Sequence, residues 1–146
     1  MIIFVGCGKS KSVIPCIAER MYVGNYFTTC MKYARSICGK NDTIYILSAK
    51  HGVLPLQKVI QPYNETLNDF SESEYAVWLD MVVKQLRTLN IQQNESVVFL
   101  CGKNYYKGLI NYFTNYTIPL EQFEGMGYQI QYMQKCIRSK TMKKLF

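Results

Sequence analysis

The sequence predicts an α/β fold: a single three-layer domain over residues 1–146, with a mostly parallel sheet of about four strands and helices on both faces. Two observations predict it. Short apolar runs, each of the length of a buried strand, alternate along the chain with stretches of helical periodicity. Hydrophobic residues make up 49% of the chain and charged residues 18%, a composition that is typical of a globular domain and excludes a disordered chain.

Four apolar runs predict the strands, and four helical patterns lie between or after them. The predicted strands are Met1–Val5, Thr43–Leu47, Ser96–Leu100 and Tyr116–Leu120. The predicted helices are Tyr26–Cys38, Ser71–Asn90, Asn104–Asn115 and Gly127–Met142. Ser71 and Glu74 have the spacing of a capping box, which marks the start of a helix. The connection from Val53 to Phe70 is long, and long ordered connections in compact domains are often functional.

A glycine-rich turn, Gly6–Lys11, follows the first predicted strand. Glycines let backbone N–H groups approach an anion closely, and lysines supply point charges. A Walker phosphate loop would need another glycine five residues before Gly8, where this chain has Ile3. The turn is therefore too short for that loop. It is either an anion-binding loop of another kind or a tight turn with solvated lysines.

Two more loops resemble this turn, because each places a small polar residue or a thiol, and a lysine, just after a strand. The carboxyl ends of parallel strands meet at one edge of a sheet, so the three loops should converge on one positive cleft. We expect Lys9, Lys50 and Lys103 to point toward one pocket, with Cys7 and Cys101 at its floor. The predicted substrate-binding residues of the loops are Cys7, Gly8, Lys9, Ser10, Lys11, Ser48, Lys50, Cys101 and Lys103.

The candidates for proton transfer lie after the second loop. His51 is the only histidine and ordinarily titrates near neutrality, so it is a candidate general acid or base, or an anchor for a ligand. Glu65 is the best-placed carboxylate for acid–base chemistry, and Tyr63 is predicted to stack on a base. A histidine satisfied by backbone groups and a solvated loop acid are the structural alternatives.

The net charge of +7 is unevenly distributed. Residues 1–50 carry seven Lys or Arg residues and two Asp or Glu residues, a net charge of +5. Residues 51–124 carry five basic and eight acidic residues, a net charge of −3, and residues 125–146 carry five basic and no acidic residues, a net charge of +5. Basic ends fit an anionic partner such as nucleic acid or a nucleotide, although solubility alone also explains such charge. The six cysteines lack a C-x-x-C pair and no signal peptide is recognised, so we expect no metal, no membrane association and a cytoplasmic location.

Four motifs together resemble a bacterial and phage family of unknown function, DUF6884. They lie at Cys7–Lys11, Ala18–Tyr22, Leu47–Gly52 and Pro62–Leu67, and Gly125–Gln129 resembles the glycine-rich start of that family's final helix. The family is distantly similar to the peroxide-stress protein YaaA family and to domains associated with tRNA-guanine transglycosylase-like proteins. The resemblance implies a fold similar to that of uracil-DNA glycosylases. It also adds Asn64 and Thr66 to the candidate site. Asn64 stands where the family pattern often has an acid, so if that acid is catalytic this protein would either be impaired or use Glu65 instead.

The leading functional hypothesis is an enzyme that acts at the N-glycosidic bond of a nucleotide or a nucleic-acid base, as a DNA glycosylase or a nucleotide hydrolase or transferase does, without a cofactor. Such chemistry needs a base pocket, cations for phosphate and a polar group that orients water or a nucleophile. A non-catalytic nucleic-acid or nucleotide-binding module is the alternative, and a nucleotide-binding regulator is a third hypothesis. Shifted pKa values in the cleft would favour the enzyme.

Overall fold

The structure, a computed structural model, describes residues 1–145 of the chain. Its strands are β1 (Ile2–Gly6), β2 (Cys16–Ile17), β3 (Thr43–Ser48), β4 (Gly52–Pro55), β5 (Val59–Ile60), β6 (Ser96–Leu100) and β7 (Asn115–Thr117). Its helices are α1 (Ala18–Met21), α2 (Asn25–Ile37), α3 (Glu72–Thr88), α4 (Lys103–Tyr106) and α5 (Met126–Leu145). Two short 3₁₀ turns, Leu67–Asp69 and Leu109–Asn111, complete the described elements.

The main sheet has five strands in the order β4-β3-β1-β6-β7, and all neighbours are parallel except β3 and β4. β1 is central, with Phe4 level with Tyr45 of β3 on one side and with Phe99 of β6 on the other. A separate antiparallel pair joins β2 to β5. The predicted α/β class with a mostly parallel sheet is therefore confirmed.

Helices cover both faces of the sheet because side chains along a strand alternate between them. On β1, Ile3 and Val5 are buried in a core shared with α2 and Met133 of α5. Phe4 points to the opposite core, where Trp78 of α3 is also buried. The Phe4 and Phe99 rings stack there with their centres 5.6 Å apart. The strands of the parallel sheet are thus buried from both sides, as their continuous apolar sequences indicate.

Three predicted elements differ from the structure. The connection Val53–Phe70 contains β4, which turns back along β3, so the sheet has a fifth strand. The predicted last strand is shorter and earlier, at Asn115–Thr117. The predicted helix Asn104–Asn115 is broken into α4 and a 3₁₀ turn. Between these two elements the Gly108 N–H donates to the Tyr75 hydroxyl of α3, and Gly108 packs so closely on α3 that an added Cβ would lie 2.7 Å from Leu79.

Three of the other helices, α2, α3 and α5, follow their predictions closely, whereas α1 was not predicted as a helix. The capping box at the start of α3 is formed, since the Ser71 hydroxyl accepts from the Glu74 N–H and the Glu74 carboxylate accepts from the Ser71 N–H. The last helix is longer than predicted at both ends. None of the helices within residues 1–145 is long and apolar enough to cross a membrane.

Candidate functional site at the carboxyl edge of the sheet

The three lysine-bearing loops leave the same edge of the sheet. Gly6 is level with Leu47 in the β1–β3 pair, and Val5 is level with Leu100 in the β1–β6 pair. Because these strands are parallel and in register, their carboxyl ends lie side by side, as predicted. The side chains of Lys9, Lys50 and Lys103 are exposed there. Their convergence on one pocket stays a prediction.

Close packing explains one of the glycines of the first loop. A Cβ on Gly6 would lie 2.8 Å from the Cβ of Cys101, so only glycine lets β1 approach the end of β6 this closely. A Cβ added to Gly8 would lie 3.7 Å from the Cβ of Tyr22 and 3.5 Å from the Cβ of Phe27. The close approach at Gly6 therefore requires glycine, whereas Gly8 is in ordinary van der Waals contact with its neighbours.

The first loop continues as a short antiparallel segment. Lys11 and Tyr22 form a β-bridge, in which the N–H of Ser12 donates to the Met21 carbonyl and the N–H of Val23 donates to the Ser10 carbonyl. Lys11 and Tyr22 are thus the pair without mutual hydrogen bonds, whose side chains lie closest. This pairing positions the Lys11 side chain over the aromatic groups at the strand edge.

The second loop is a tight turn that Ser48 organises. Its hydroxyl oxygen accepts the N–H groups of Lys50 at 3.2 Å and of His51 at 3.0 Å. Gly52 follows with a φ of +68°, a left-handed conformation that favours glycine, and begins β4. The turn is held from the other side by Gln85, which donates to the His51 carbonyl and accepts from the Val53 N–H. These contacts fix the position of His51.

His51 is half-buried, and its Nε2 is buried without a hydrogen-bond partner among the described residues. Burial lowers the pKa of His51 below its usual value, and the nearby ammonium groups of Lys50 and Lys58 lower it further, while Glu65 acts in the opposite direction. The imidazole is therefore neutral at pH 7. A neutral ring with a free Nε2 can accept a proton or a hydrogen bond.

Residues 61–70, here called the strap, cross the carboxyl edge from β3 toward β6. Near its start, the Tyr63 hydroxyl lies 2.7 Å from the Ser48 hydroxyl. Near its end, the Asn68 amide oxygen accepts from the Asn104 side chain at 2.6 Å, next to the third loop. Tyr63 and Leu67 are buried anchors. The strap therefore ties the second and third loops together across the end of β1.

Within the strap, the other candidate residues differ in exposure. Asn64 and Glu65 are exposed. Thr66 is half-buried, and its hydroxyl accepts the N–H of Asn68, which starts the 3₁₀ turn. Glu65 reaches the site through its charge, since its carboxylate acts on the pKa of His51. Thr66 has a local structural contact instead.

Two predicted roles need correction. Tyr63 is only 6% exposed, and its ring lies against Lys11, His51 and Tyr22, so it has no open face for stacking on a base. Cys101 is also 6% exposed and belongs to the apolar core on the α3 side, whereas Cys7 packs against the other core. Cys101 therefore offers almost no surface to a pocket floor. Burial raises the pKa of Cys101, so its thiol stays neutral.

Three tyrosine hydroxyls lie near Cys7, and the sequence analysis predicted a role for only one of these residues, Tyr63. The Cys7 Sγ is 3.1 Å from the hydroxyl of Tyr105, which belongs to α4. The hydroxyl of Tyr22 is 2.5 Å from that of Tyr63. Burial raises the pKa of all three tyrosines, so their hydroxyls are neutral at physiological pH. Tyr22 is in one of the family motifs, which is a signal for its place at the site; Tyr105 has no such signal.

Two surface cavities lie away from this edge. One, of about 560 Å³, is lined mainly by apolar residues of β4 and α3, among them Val53, Val77 and Met81. The other, of about 520 Å³, is polar and lies around Arg87, Asn94 and nearby residues. No candidate site residue lines either cavity.

The comparisons with known proteins agree with the motifs. The chain is 27% identical to the uncharacterized protein YfjM of Bacillus subtilis (strain 168), in an alignment over 146 residues that covers 93% of this chain and 94% of that protein. The profile of a family of unknown function, DUF6884, matches residues 2–135, which include all the strand-end loops and the strap. The chain therefore belongs to the DUF6884 family.

Proposed function

We propose that this protein is an enzyme that acts at the N-glycosidic bond of a nucleotide or of a base in a nucleic acid, in the cytoplasm. The observation that carries the proposal is the neutral His51 with its buried, unpaired Nε2, at the sheet edge where three lysine-bearing loops end. A shifted pKa at such an edge is typical of a group used in chemistry. Six free cysteines support a reducing compartment.

The lysines supply the contacts to phosphate. Lys9, Lys50 and Lys103 are exposed at the edge, and Lys11 is held over the Tyr63 ring. The three ion pairs of the described residues involve none of these four lysines. Their charges are therefore available to an anionic substrate.

His51 supplies the proton transfer. In hydrolysis, a water oxygen bonds to the anomeric carbon of the sugar, the bond from that carbon to the base nitrogen breaks, and the base leaves with the bonding electron pair. The half-buried His51 imidazole takes the proton that the water loses and then gives it to the departing base, so the base leaves in its neutral form and His51 returns to its own neutral form. Glu65, whose charge reaches His51, stabilises the imidazolium that forms.

Fold-level likenesses add support of a weaker kind. A five-stranded, mostly parallel sheet with its loops at the carboxyl edge is compatible with the proposed uracil-DNA-glycosylase-like fold. The proposed distant kinship with the YaaA family and with tRNA-guanine transglycosylase-associated domains points to the same chemistry. Function is decided by the site and not by the fold, so the proposal depends on His51 and the lysines.

The test is a screen for released base. The protein is incubated with single- and double-stranded DNA carrying several modified bases, and with free nucleotides, and the products are analysed by mass spectrometry. We expect free base from one substrate class with the wild type and none with His51→Ala. Arg87→Ala, which changes an exposed cation at the opposite end of α3 from Ser71, is the matched control and should release as much base as the wild type. Absence of released base from every substrate would overturn the proposal.

A second candidate function, nucleic-acid binding without chemistry, is favoured by one further observation. The last half of α5 presents exposed cations with no ion-pair partner among the described residues. They are Lys135, Arg138, Lys140, Lys143 and Lys144. Tyr26 donates to Gln129 and Lys140 donates to the Ser36 carbonyl, so α5 runs alongside α2, away from the loop edge. The start of α2 at Asn25 is next to the first loop, where the Val23 N–H donates to the Ser10 carbonyl, and Lys140 contacts Ser36 near the end of α2. The basic end of α5 therefore lies at the end of α2 that is farther from that loop.

A further inference from the structure

Tyr63 contacts a functional group from each of two loops, although it comes from neither. We propose that Tyr63 is a positioning residue that holds the Lys11 ammonium and the His51 imidazole in one fixed arrangement at the sheet edge. For catalysis this inference rests on the proposed function. The arrangement itself is a property of the folded protein and can be tested without a substrate.

The Lys11 contact restrains a charge. The ammonium lies 4.7 Å from the centre of the Tyr63 ring and 5.9 Å from that of Tyr22, within the range of a cation–π interaction. The ammonium also donates to the Lys9 carbonyl at 3.3 Å. A free lysine side chain samples many rotamers, whereas these contacts hold this charge close to the strand ends.

The His51 contact is with the same ring. The imidazole and the Tyr63 ring meet edge to face, with centres 5.5 Å apart and planes at 87°. A buried aromatic ring there excludes water from one side of the imidazole, which favours the neutral form. The charged groups that also face His51 are Lys50 of its own turn, Lys58 before β5 and Glu65 of the strap.

Hydrogen bonds fix the Tyr63 ring between these two groups. The Ser48 hydroxyl oxygen already accepts two N–H groups, so its proton is donated to the Tyr63 hydroxyl, which in turn donates to Tyr22. The hydroxyl that orders the His51 turn therefore also orients Tyr63. One network thus connects the turn, the strap and the Lys11–Tyr22 bridge.

The test uses the single histidine, whose imidazole signals in NMR spectra are free of overlap with other histidines. His51 is titrated in the wild type, in Tyr63→Leu and in Tyr63→Phe. We expect the His51 pKa to rise toward its ordinary value of about 6.5 in Tyr63→Leu, because water reaches the ring. Tyr63→Phe keeps the ring and loses only the hydroxyl, so the pKa of His51 in this variant should lie between its values in the wild type and in Tyr63→Leu.

Tyr33→Leu is the matched control, since Tyr33 is buried to nearly the same extent but packs against Tyr132 of α5. It should destabilise the protein and leave the His51 titration unchanged. If the His51 pKa of Tyr63→Phe and of every folded Tyr63 variant equals that of the wild type, Tyr63 is a core residue only and the inference is wrong. Tyr63→Phe keeps the test decisive if Tyr63→Leu does not fold.

A kinetic measurement separates this inference from the proposed function. With a substrate found in the screen, Tyr63→Phe should lower kcat several-fold with a smaller change in KM, because a misplaced base acts mainly on the transition state. If no substrate releases base while the titrations behave as expected, the proposed function fails and the positioning role stands. If base is released and kcat and the titration are both unchanged in Tyr63→Phe, the positioning role fails alone.

Discussion

The indole N–H of Trp78 donates a hydrogen bond to the backbone carbonyl of Ser48 at 2.9 Å, and both residues are buried. This bond ties α3 to the end of β3, directly beneath the turn that carries His51. Because the carbonyl belongs to the same residue whose hydroxyl orders the turn, the packing of α3 and the geometry of the candidate site are connected. The first prediction follows from this contact.

Trp78→Phe should destabilise the protein by about 1–3 kcal/mol, because it leaves a buried carbonyl without its donor and removes part of a buried side chain. Chemical denaturation followed by circular dichroism measures the loss, since Trp78 is the only tryptophan and its fluorescence is removed with it. Val77→Ala is the neighbouring control. Val77 is 72% exposed, and its substitution should change the free energy of unfolding by less than about 0.5 kcal/mol.

Two glycines should respond to alanine with opposite signs. Gly108→Ala would bring a Cβ to 2.7 Å from Leu79, and we expect a loss of about 1–3 kcal/mol in the free energy of unfolding. Gly127 lies in the first turn of α5 with nothing within 4 Å of an added Cβ. Gly127→Ala should therefore stabilise the protein by up to about 1 kcal/mol, because alanine has the higher helix propensity. Urea denaturation compares the two variants, and equal effects would contradict the packing at Gly108.

These glycines also show what the sequence can and cannot predict. Periodicity predicted α3 and its cap because the residues that form them are adjacent in the chain. It did not predict the break at Gly108, because the Gly108 N–H donates to the Tyr75 hydroxyl on another helix. Neither did it predict β4, since the hydrogen bonds that make this segment a strand come from β3.

The candidate site divides in the same way. The position of the three loops at one edge of the sheet follows from parallel strands, which the alternation of helices and strands predicts. The burial of Tyr63 depends on Ser48 and Tyr22, which are distant in sequence and approach it only in the folded chain. A polar loop segment with one aromatic residue gave no sign that the ring is covered by Lys11 and His51. The local pattern therefore predicted which loops share one sheet edge, but it did not predict that the Tyr63 ring is covered.

The pH dependence of stability should show a contribution from His51. Its pKa is lower in the folded than in the unfolded protein, mainly through burial and also through Lys50 and Lys58. At a pH between the two pKa values of His51, the unfolded chain binds more protons than the folded protein. The contribution of His51 to the free energy of unfolding is therefore fully present above about pH 6.5 and decreases as the pH falls toward the pKa of His51 in the folded protein. Denaturation between pH 5 and 7.5 measures this slope. His51→Gln should flatten it, and an equal slope in both proteins would contradict the lowered pKa.

The basic end of α5 should act on polymers and not on small substrates. Lys143→Gln with Lys144→Gln should make the slope of log affinity against log salt shallower by up to about 2 for duplex DNA, since each lost phosphate contact removes close to 0.9. Hydrolysis of a free nucleotide should be unchanged. Lys84→Gln with Arg87→Gln removes the same charge from the exposed side of α3 and is the control. Equal slopes for the two double variants would show that the end of α5 is only a solubilising surface. Phe146, which follows α5, lies outside the described residues.

The last prediction concerns how His51 and Lys9 divide the work in the proposed reaction. His51→Ala should lower kcat by about two to four orders of magnitude and change KM little, because proton transfer stabilises the transition state more than the bound substrate. Lys9→Ala should instead raise KM, because an exposed ammonium that contacts phosphate binds substrate and transition state alike. Steady-state kinetics with the substrate found by base release separates the two. If His51→Ala keeps full turnover, proton transfer would have to come from Glu65, and Glu65→Gln tests that directly. If turnover survives both His51→Ala and Glu65→Gln, neither residue carries the proton transfer and the proposed mechanism is wrong, whereas nucleic-acid binding without chemistry would replace the proposal only if no substrate releases base.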